Sequence, residues 1–242
     1  MVADRGTSAV LTIRVVGETG STNADLLAAA ATGADEGLWL RAERQSAGRG
    51  RLGRGWSDGA GNLFASTIVR LRPHDPAAHT LTLVAAVALA DAVAVSAPEL
   101  AKIKWPNDLM VGSAKLSGIL LERSDDAVVI GFGVNLASHP ALPDRDTTSM
   151  MALGIAVTPA ALLAELVERF AAWLAVWRQD EGSVIRAAWE ERAHPRGTPL
   201  RVRLPDGSER SGRFGGLDAD GALRLIDDDG RTVAVHAGDV SA

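Results

Sequence analysis

The sequence contains no cysteine. This absence excludes thiolate nucleophiles, disulfide bonds and cysteine-ligated metal sites, and it fits a protein of the reducing cytosol. No stretch is long and apolar enough to span a bilayer, and residues Met1 to Gly6 lack the apolar core of a signal peptide. We therefore expect a cytoplasmic protein that does not bind membranes.

Lysine is scarce, since only three of the 25 basic residues are lysine. All three, Lys102, Lys104 and Lys115, fall within one short segment. An accidental cluster in an arginine-rich composition is one interpretation. A site that needs compact ammonium groups is the interpretation we favour.

The composition describes a globular protein with an acidic balance. At 242 residues, 47% of them apolar, the chain holds one large domain, or one domain with a small appendage. The net charge is −5 and the pI about 5.6. Nothing in this balance indicates general binding to DNA or RNA, so we expect no nucleic-acid partner.

One stretch departs from the acidic balance, the loop that runs from Gly48 to Trp56 with the sequence GRGRLGRGW. Its four glycines let the backbone pass close to a ligand, and its three arginines offer paired donors to carboxylate or phosphate. Surface turns and disordered RNA-binding tails use the same residue types, although such tails are long and repetitive. The loop lies between predicted strands at 37–42 and 62–69, which favours an anion-binding loop inside a domain.

Two polar segments flank predicted helices and strands. Ser21, Thr22 and Asn23 precede an alanine-rich helix at 24–30, where they are either a helix cap or a polar binding surface for a ligand. Asp108 follows a short strand and a proline turn, and Lys115 opens a strand at 113–122 that we expect to pair with the strand at 127–134. This hairpin would bring Asp108 and Lys115 together.

The remaining pattern is scaffold. Strand 9–16, followed by a turn at 17–20, opens the chain, and helices are predicted at 80–95, from Thr158-Pro159 onward, and from Ser183 to about Arg192. Beyond residue 194, four short strands alternate with Asp-Gly-rich turns, which indicates a small β-barrel-like module.

Taken together, the motifs resemble those of the biotin protein ligases, which attach biotin to the carrier domains of biotin-dependent carboxylases. In chain order they are Ser21-Thr22-Asn23, Gln45, GRGRLGRGW at 48–56, KWPNDLM at 104–110, KLSGILLE at 115–122 and GFGVN at 131–135. The resemblance implies an α/β (α+β) catalytic domain over residues 1–194, related to class II aminoacyl-tRNA synthetases and lipoate ligases, with a mixed, largely antiparallel sheet. Residues 195–242 would form an SH3-like β-barrel.

The resemblance also implies two successive acyl steps. Biotin and ATP give biotinyl-5′-AMP and pyrophosphate, and a lysine of the carrier domain of an acyl-CoA or pyruvate carboxylase then takes the biotin. ATP and Mg²⁺ are the implied cofactors, with no certain metal ligands. Some family members carry an N-terminal DNA-binding domain, and because the first strand begins near residue 9 we expect the ligase alone.

The motif positions carry the implied roles. Lys115, Arg51 and Asp108 are the implied catalytic residues. Biotin would be bound by Ser21, Thr22, Asn23, Gln45, Arg49, Gly50, Arg51 and Lys115. ATP or the adenylate would be bound by Arg49, Arg51, Arg54, Trp56, Asn107, Asp108, Lys115 and Asn135.

Two alternatives stay open. A lipoate or octanoate ligase could be built on the same scaffold, although octanoyl transferases of that fold use a cysteine, which is absent here. A non-catalytic biotin sensor could hold an adenylate with the same residues. The sequence does not decide between a monomer and a homodimer.

Overall fold

The computed structural model describes residues 11–57, 59–180 and 182–241. This part of the chain contains twelve strands and four α-helices. In chain order they are β1 (Thr12–Thr19), α1 (Thr22–Ala31), β2 (Leu38–Gln45), β3 (Leu63–Arg70), α2 (Leu81–Ala94), β4 (Lys102–Lys104), β5 (Asp108–Val111), β6 (Ala114–Ser124), β7 (Ala127–Val134), α3 (Pro159–Gln179), α4 (Ser183–Arg192), β8 (Pro199–Arg203), β9 (Glu209–Leu217), β10 (Leu223–Ile226), β11 (Thr232–Val235) and β12 (Asp239–Ser241).

The strands form two sheets. The larger has seven strands in the order β1-β2-β3-β7-β6-β5-β4, and the smaller has five in the order β11-β10-β9-β8-β12. In the larger sheet β1 and β2 pair in parallel and every other neighbouring pair is antiparallel. The predicted α+β class, with a mixed, largely antiparallel sheet and a small C-terminal β-module, is therefore confirmed.

The two faces of the large sheet have different partners because side chains alternate along each strand. On one face α1 packs Leu26 and Ala30 against Leu40 and Val129. The opposite face carries α2 and α3, and there Phe132 packs edge to face on Phe170 with 6.1 Å between the ring centroids. The alternation along β7 therefore turns its odd-numbered positions toward the α1 side.

The helix predictions are confirmed. In α2 the residues are apolar on all sides and almost all buried, as expected of a helix inside the core. Thr158 caps α3 by accepting a hydrogen bond from the Ala161 amide, and Pro159 occupies the first turn. None of the helices among the described residues is long and apolar enough to cross a membrane.

Some predicted strand ends are wrong. The predicted opening strand, 9–16, begins in residues that lie outside the described part, and β1 continues through the predicted turn at Gly17 as far as Thr19. The reason is parallel pairing with β2, which extends to Thr19 opposite Gln45 and so lengthens both strands. The sequence analysis also missed β12, which has only three residues and pairs with the distant β8.

The connection between α4 and β8 contains the predicted domain boundary at residues 194 and 195. Residues on both sides of this connection belong to one hydrophobic core, in which Trp189 of α4 packs against Phe214 of β9 with 6.2 Å between ring centroids. The division into two domains stays a prediction.

An ion-pair cluster at the sheet edge fixes the end of α3. The Arg178 guanidinium donates to both carboxylate oxygens of Glu36, at 2.7 and 2.6 Å, and to the carbonyl of Arg70 at 3.0 Å. Burial raises the pKa of the Glu36 carboxyl, but the hydrogen bonds from Arg178 and the Arg70 amide outweigh it, so the pKa lies below the ordinary 4.5. The charged pair therefore stabilises the folded chain.

We expect Arg178→Met to lower the free energy of unfolding at pH 7 by about 3 kcal/mol, because two largely buried carboxylates, Glu36 and Asp75, lose their shared guanidinium. Glu36 then keeps only the exposed Arg72 at 3.2 Å as a charged partner. Since the folded-state pKa of Glu36 is depressed, its contribution is complete above pH 4.5 and is lost as the pH falls further. Denaturant titrations from pH 7 to pH 3 should thus show that the free energy of unfolding falls less with acid in the variant than in the wild type. Arg169→Met, which removes an exposed pair on the same helix, is the control and should cost less than about 1 kcal/mol.

Candidate active site

A cavity of about 610 Å³ lies on the α1 side of the large sheet. Its floor is backbone, because Gly118 of β6 is paired with Gly133 of β7 and neither carries a side chain. A Cβ atom at Gly118 would lie 2.9 Å from the indole of Trp56, and one at Gly133 would overlap that indole. A Cβ at Gly131 would likewise overlap the Asn23 amide. The glycines thus permit a close approach to the sheet.

One end of the cavity is lined by uncharged hydrogen-bonding groups. Ser21 caps α1 and accepts a hydrogen bond from the Ala24 amide at 3.4 Å. The Thr22 amide donates to Gln45 Oε1 at 2.8 Å, and the Thr22 hydroxyl lies 2.7 Å from Ser66 Oγ. The start of α1 and the end of β2 meet here because Thr19, just before the helix, is paired with Gln45. The Ser-Thr-Asn triplet can therefore both cap the helix and present polar groups to a ligand, so its two interpretations are compatible.

Asn23 is already hydrogen-bonded within the protein. Its amide nitrogen donates to Glu122 Oε2 at 2.9 Å, and its amide oxygen accepts from Ser66 Oγ at 2.6 Å. Asn23 therefore ties α1 to β3 and β6. Its predicted part in biotin binding stays a prediction, and these contacts favour an indirect part, through the position of Thr22.

The other end of the cavity is charged. Lys115 Nζ lies 2.6 Å from Asp108 Oδ1, and Lys104 Nζ lies 3.8 Å from Asp108 Oδ2. The predicted proximity of Asp108 and Lys115 is confirmed, but its predicted cause is wrong: Asp108 begins the unpredicted strand β5, and the antiparallel pairing of β5 with β6 produces the arrangement. Burial lowers the pKa of the Lys104 ammonium, although the charge of Asp108 opposes that effect. Two of the three lysines of the chain thus share the carboxylate of Asp108.

The glycine-arginine loop is closed by its own backbone hydrogen bonds. Gly50 donates to the carbonyl of Arg54 at 2.7 Å and Trp56 donates to the carbonyl of Gly48 at 2.9 Å. At the tip, Gly53 has a φ of +73°, which a residue with a side chain rarely adopts. The loop therefore needs Gly53 for its shape.

Trp56 lies folded onto the glycine floor. Lys115 Nζ is 5.6 Å from the centroid of the indole ring, within cation–π range. The indole Nε1 is buried and has no hydrogen-bond partner. A ligand that offers an acceptor at this place would satisfy it.

Each loop arginine contacts a different part of the protein. Arg49 lies 3.6 Å from Glu122 Oε1, and Arg51 Nη1 donates to Asn107 Oδ1 at 3.1 Å. Arg54 forms an ion pair with Asp239 of β12, in the smaller sheet. Asn107 therefore holds Arg51 by a hydrogen bond. The C-terminal module contacts the loop through the ion pair of Asp239 with Arg54.

The segment between β7 and α3 forms a further wall that the sequence analysis missed. Asn135 fixes this segment by donating its side-chain amide to the carbonyl of Thr148 at 3.0 Å. Apart from Asn135, no motif or periodicity marks the wall, and its members lie in an irregular stretch. The unpredicted lining residues of this wall are Pro140, Leu142, Asp144, Arg145 and Thr147, joined by Asp239 of β12.

All thirteen predicted site residues line this one cavity. They are Ser21, Thr22, Asn23, Gln45, Arg49, Gly50, Arg51, Arg54, Trp56, Asn107, Asp108, Lys115 and Asn135. The thirteen residues thus share one cavity, whereas the role of each stays a prediction. Among the described residues, five cationic and three anionic side chains line the cavity, a local excess of positive charge on a chain whose net charge is −5.

Two family models match the chain. The model of the biotin/lipoate A/B protein ligase family matches residues 21–135. The model described as the biotin protein ligase C terminal domain matches residues 197–242. The first match contains every predicted site residue, and the second begins just before the smaller sheet.

Several curated proteins are similar over most of the chain. A biotin--[acetyl-CoA-carboxylase] ligase from Mycobacterium tuberculosis is 41% identical over 233 residues, which cover 93% of this chain and 87% of the relative. One from Paracoccus denitrificans is 40% identical over 234 residues, which cover 90% of this chain and 96% of the relative. The bifunctional ligase/repressor BirA of Escherichia coli is 32% identical over 209 residues, 83% of this chain and 64% of that protein.

Solved structures share the fold. A biotin protein ligase from Aquifex aeolicus in complex with biotin and ATP has a TM-score of 0.84 at 22% identity and covers 95% of this chain and 98% of that chain. At this identity the likeness describes the fold alone, whereas the identity to the Mycobacterium tuberculosis and Paracoccus denitrificans ligases, over 87% and 96% of their length, defines the family. The chain therefore belongs to the biotin protein ligase family.

Proposed function

We propose that the protein is an ATP-dependent ligase that activates biotin as biotinyl-5′-AMP and transfers it to a lysine of a biotin carboxyl carrier domain. The observation that carries the proposal is a single cavity with an uncharged hydrogen-bonding end and a charged end rich in cations. Biotin has the same division, with a polar ureido ring at one end and a carboxylate at the other. The specific reaction, ligation of biotin, is inferred from membership of the biotin protein ligase family.

The uncharged end suits the ureido ring. Ser21, Thr22 and Gln45 place hydroxyl and amide groups at this end of the cavity. Buried polar groups are retained where they are hydrogen-bonded, and a ureido ring offers both donors and an acceptor. Arg49 and Gly50, on the loop, would cover the bound ring from the other side.

Activation brings a carboxylate against a polyphosphate, so repulsion between anions is the main obstacle. A biotin carboxylate oxygen attacks the α-phosphorus of ATP, a new P–O bond forms, and the bond to pyrophosphate breaks. Lys115 and Arg51 would neutralise the charge that gathers at that phosphorus, and Asp108 holds the Lys115 ammonium at 2.6 Å before the ligands arrive. Catalysis of this kind rests on alignment and charge, and needs no protein nucleophile.

Mg²⁺ is expected to enter with the nucleotide. No group of three or more His, Cys, Asp or Glu side chains among residues 11–57, 59–180 and 182–241 is placed to hold a metal ion. Asp108 is the carboxylate that would contact a magnesium ion bound to the phosphates, and it would do so in exchange for one of its two lysine contacts. The ion would supply further neutralisation of phosphate charge.

Transfer completes the reaction. The ε-amine of the carrier lysine attacks the acyl carbon of the mixed anhydride, an amide bond forms, and AMP leaves. Trp56 would cover the adenine ring, Asn107 would hold Arg51, and Arg54 and Asn135 would order the nucleotide-side loops. The carrier domain of acetyl-CoA carboxylase is the first candidate acceptor, that of pyruvate carboxylase the second, and we expect the reaction to take place in the cytoplasm.

We expect Arg51→Ala to release biotinyl-5′-AMP from the enzyme, at a rate raised by at least about tenfold. The reason is that Arg51 joins the loop to Asn107 across the cavity, and a charge-assisted hydrogen bond of this kind contributes about 1.5–3 kcal/mol. Free adenylate can be measured by chromatography of the protein-free filtrate. Arg44→Ala, on β2 and outside the cavity, is the control, and equal retention by Arg51→Ala and the wild type would contradict the role.

The proposal is tested by incubating the full chain with biotin, ATP, Mg²⁺ and a purified carrier domain, and by following the carrier with mass spectrometry. We expect the mass of one biotinyl group on the carrier lysine and none when ATP is omitted. Lipoate in place of biotin tests the alternative ligase, and modification with lipoate alone would select that alternative. Binding of biotin without any transfer would select the sensor.

A further inference from the structure

Arg145 lies at the charged end of the cavity, and neither the motifs nor the mechanism above assign it a role. It lies in a bend just before a short segment that is hydrogen-bonded to the start of β6. The amide of Lys115 donates to the carbonyl of Asp146 at 2.9 Å, and the amide of Thr148 donates to the carbonyl of Lys115 at 3.0 Å. The backbone that carries Arg145 is thus fixed to the residue proposed to act at the α-phosphate.

The alternation of side chains along this segment turns Arg145 toward the site. Arg145 and Thr147 both line the cavity, whereas the side chain of Asp146, between them, accepts a hydrogen bond from the Ser113 hydroxyl at 3.1 Å on the exposed side. Thr147 is bridged to Lys115 and Arg145 lies at the bend just before it, so the two cavity-lining side chains flank one that points away. The position of Arg145 therefore follows from the same backbone pairing that places Lys115.

Carboxylates surround the Arg145 guanidinium. Asp144 accepts its hydrogen bonds, and this contact raises the pKa of Arg145, as do the charges of Asp108 and Asp239. The side chain of Asp144 is 57% exposed and that of Arg145 30% exposed. A pair with so exposed a carboxylate exchanges its partner at little cost. The guanidinium therefore remains available to a stronger anion in the cavity.

We propose that Arg145 binds the β- and γ-phosphates of ATP and the departing pyrophosphate, in place of its contact with Asp144. The inference deepens the proposed function and rests on it. A guanidinium presents a planar fork of donors that matches two phosphate oxygens, and its charge-assisted hydrogen bonds are among the stronger ones in proteins. Lys115, and Arg145 on the segment hydrogen-bonded to it, would hold successive parts of one polyphosphate chain.

Loss of Arg145 should affect only those ligands that carry the outer phosphates. Arg145 touches neither the ureido end nor the Thr22 network, so its removal should leave biotin binding unchanged. A residue that binds only the outer phosphates should also leave the affinity for AMP unchanged. It should weaken ATP and pyrophosphate together, because both carry the β-phosphate.

The test compares wild type and Arg145→Ala in steady-state, ATP-dependent transfer of biotin to the carrier domain and in pyrophosphate inhibition of that reaction. We expect the KM for ATP and the inhibition constant of pyrophosphate each to rise by about tenfold, as loss of a charge-assisted contact to phosphate implies. The Kd of biotin, from calorimetry, and the inhibition constant of AMP should stay within about twofold. Arg145→Gln should repeat the result, and Arg145→Lys should recover part of the pyrophosphate affinity.

Arg123→Ala is the matched control, since Arg123 is an exposed arginine of β6 that contacts the carbonyl of Asp125 outside the cavity. Unchanged constants for ATP and pyrophosphate in both Arg145→Ala and Arg145→Gln would overturn the proposal. A raised KM for the carrier domain with unchanged pyrophosphate inhibition would also overturn it, because Arg145 would then serve the protein substrate. If the wild type releases no pyrophosphate with biotin and ATP, the proposed function itself fails.

Discussion

Lys115→Ala is expected to slow ATP-dependent formation of biotinyl-5′-AMP by at least about a hundredfold, a loss in the range measured when a charge-stabilising donor is removed from an active site. Lys115 Nζ lies at the charged end of the cavity, 2.6 Å from Asp108, where two anions must meet. Without it, the charge that develops at the α-phosphorus loses its nearest compact cation. A quenched assay for adenylate under saturating biotin and ATP measures the effect.

The fold should survive this substitution. Asp108 keeps a second ammonium, that of Lys104 at 3.8 Å, so its carboxylate is not left without a partner. Lys102→Ala is the matched control, because Lys102 is exposed on the neighbouring strand β4 and lies outside the cavity lining. Near-normal adenylate formation in folded Lys115→Ala would refute the proposed role of Lys115.

A second large effect is expected from Gly133→Val, which should weaken biotin binding by at least about a hundredfold and abolish adenylate formation. Gly133 is paired with Gly118 across the cavity floor, and a Cβ atom at Gly133 overlaps the indole of Trp56. Valine would fill the surface on which a ligand must lie and would force the indole of Trp56 away from the cavity floor. Calorimetry with biotin measures the loss.

Valine favours strands, so the variant should remain folded, with a thermal midpoint close to that of the wild type. Gly17→Val on the edge strand β1 is the control, because nothing lies within 4 Å of a Cβ built there. That variant should bind biotin normally. Biotin affinity retained in Gly133→Val would mean that the glycine floor does not contact the ligand.

The residues that line the cavity could be predicted from the sequence because most of them lie in contiguous motifs, while their roles stay predictions. Glycine-arginine alternation, the Ser-Thr-Asn triplet and the clustered lysines are local signals, and each identifies a loop or a helix start before any tertiary contact is known. The proximity of Lys115 and Asp108 was also predicted, but from the wrong pair of strands. The expected hairpin of β6 with β7 does not contain Asp108, and the pairing of β6 with the unpredicted strand β5 brings the two residues together.

The partners of those residues could not be predicted in the same way. Asp239 meets Arg54 although the two residues are 185 positions apart in the sequence, and Glu122 meets Asn23 across 99 positions. Ser66 lies inside an apolar strand, and only the arrival of Thr22 and Asn23 above it shows why a hydroxyl stands there. Such contacts depend on how the elements pack, which local propensity does not contain.

The predicted ends of strands were wrong for a related reason. Gly17 is a turn former by local preference, yet β1 continues through it because its backbone groups pair with β2. Arg145 shows the same dependence on pairing. Nothing in the residues around it indicates a site, and it faces the cavity because its neighbours hydrogen-bond to Lys115.

Release of pyrophosphate on mixing the full chain with biotin, ATP and Mg²⁺ tests the central claim most directly. The account predicts a burst of about one equivalent of pyrophosphate per chain without a carrier domain, because the adenylate stays bound, and continuous release once the carrier is added. Both phases should require biotin. Absence of pyrophosphate, or the same release without biotin, would contradict the account.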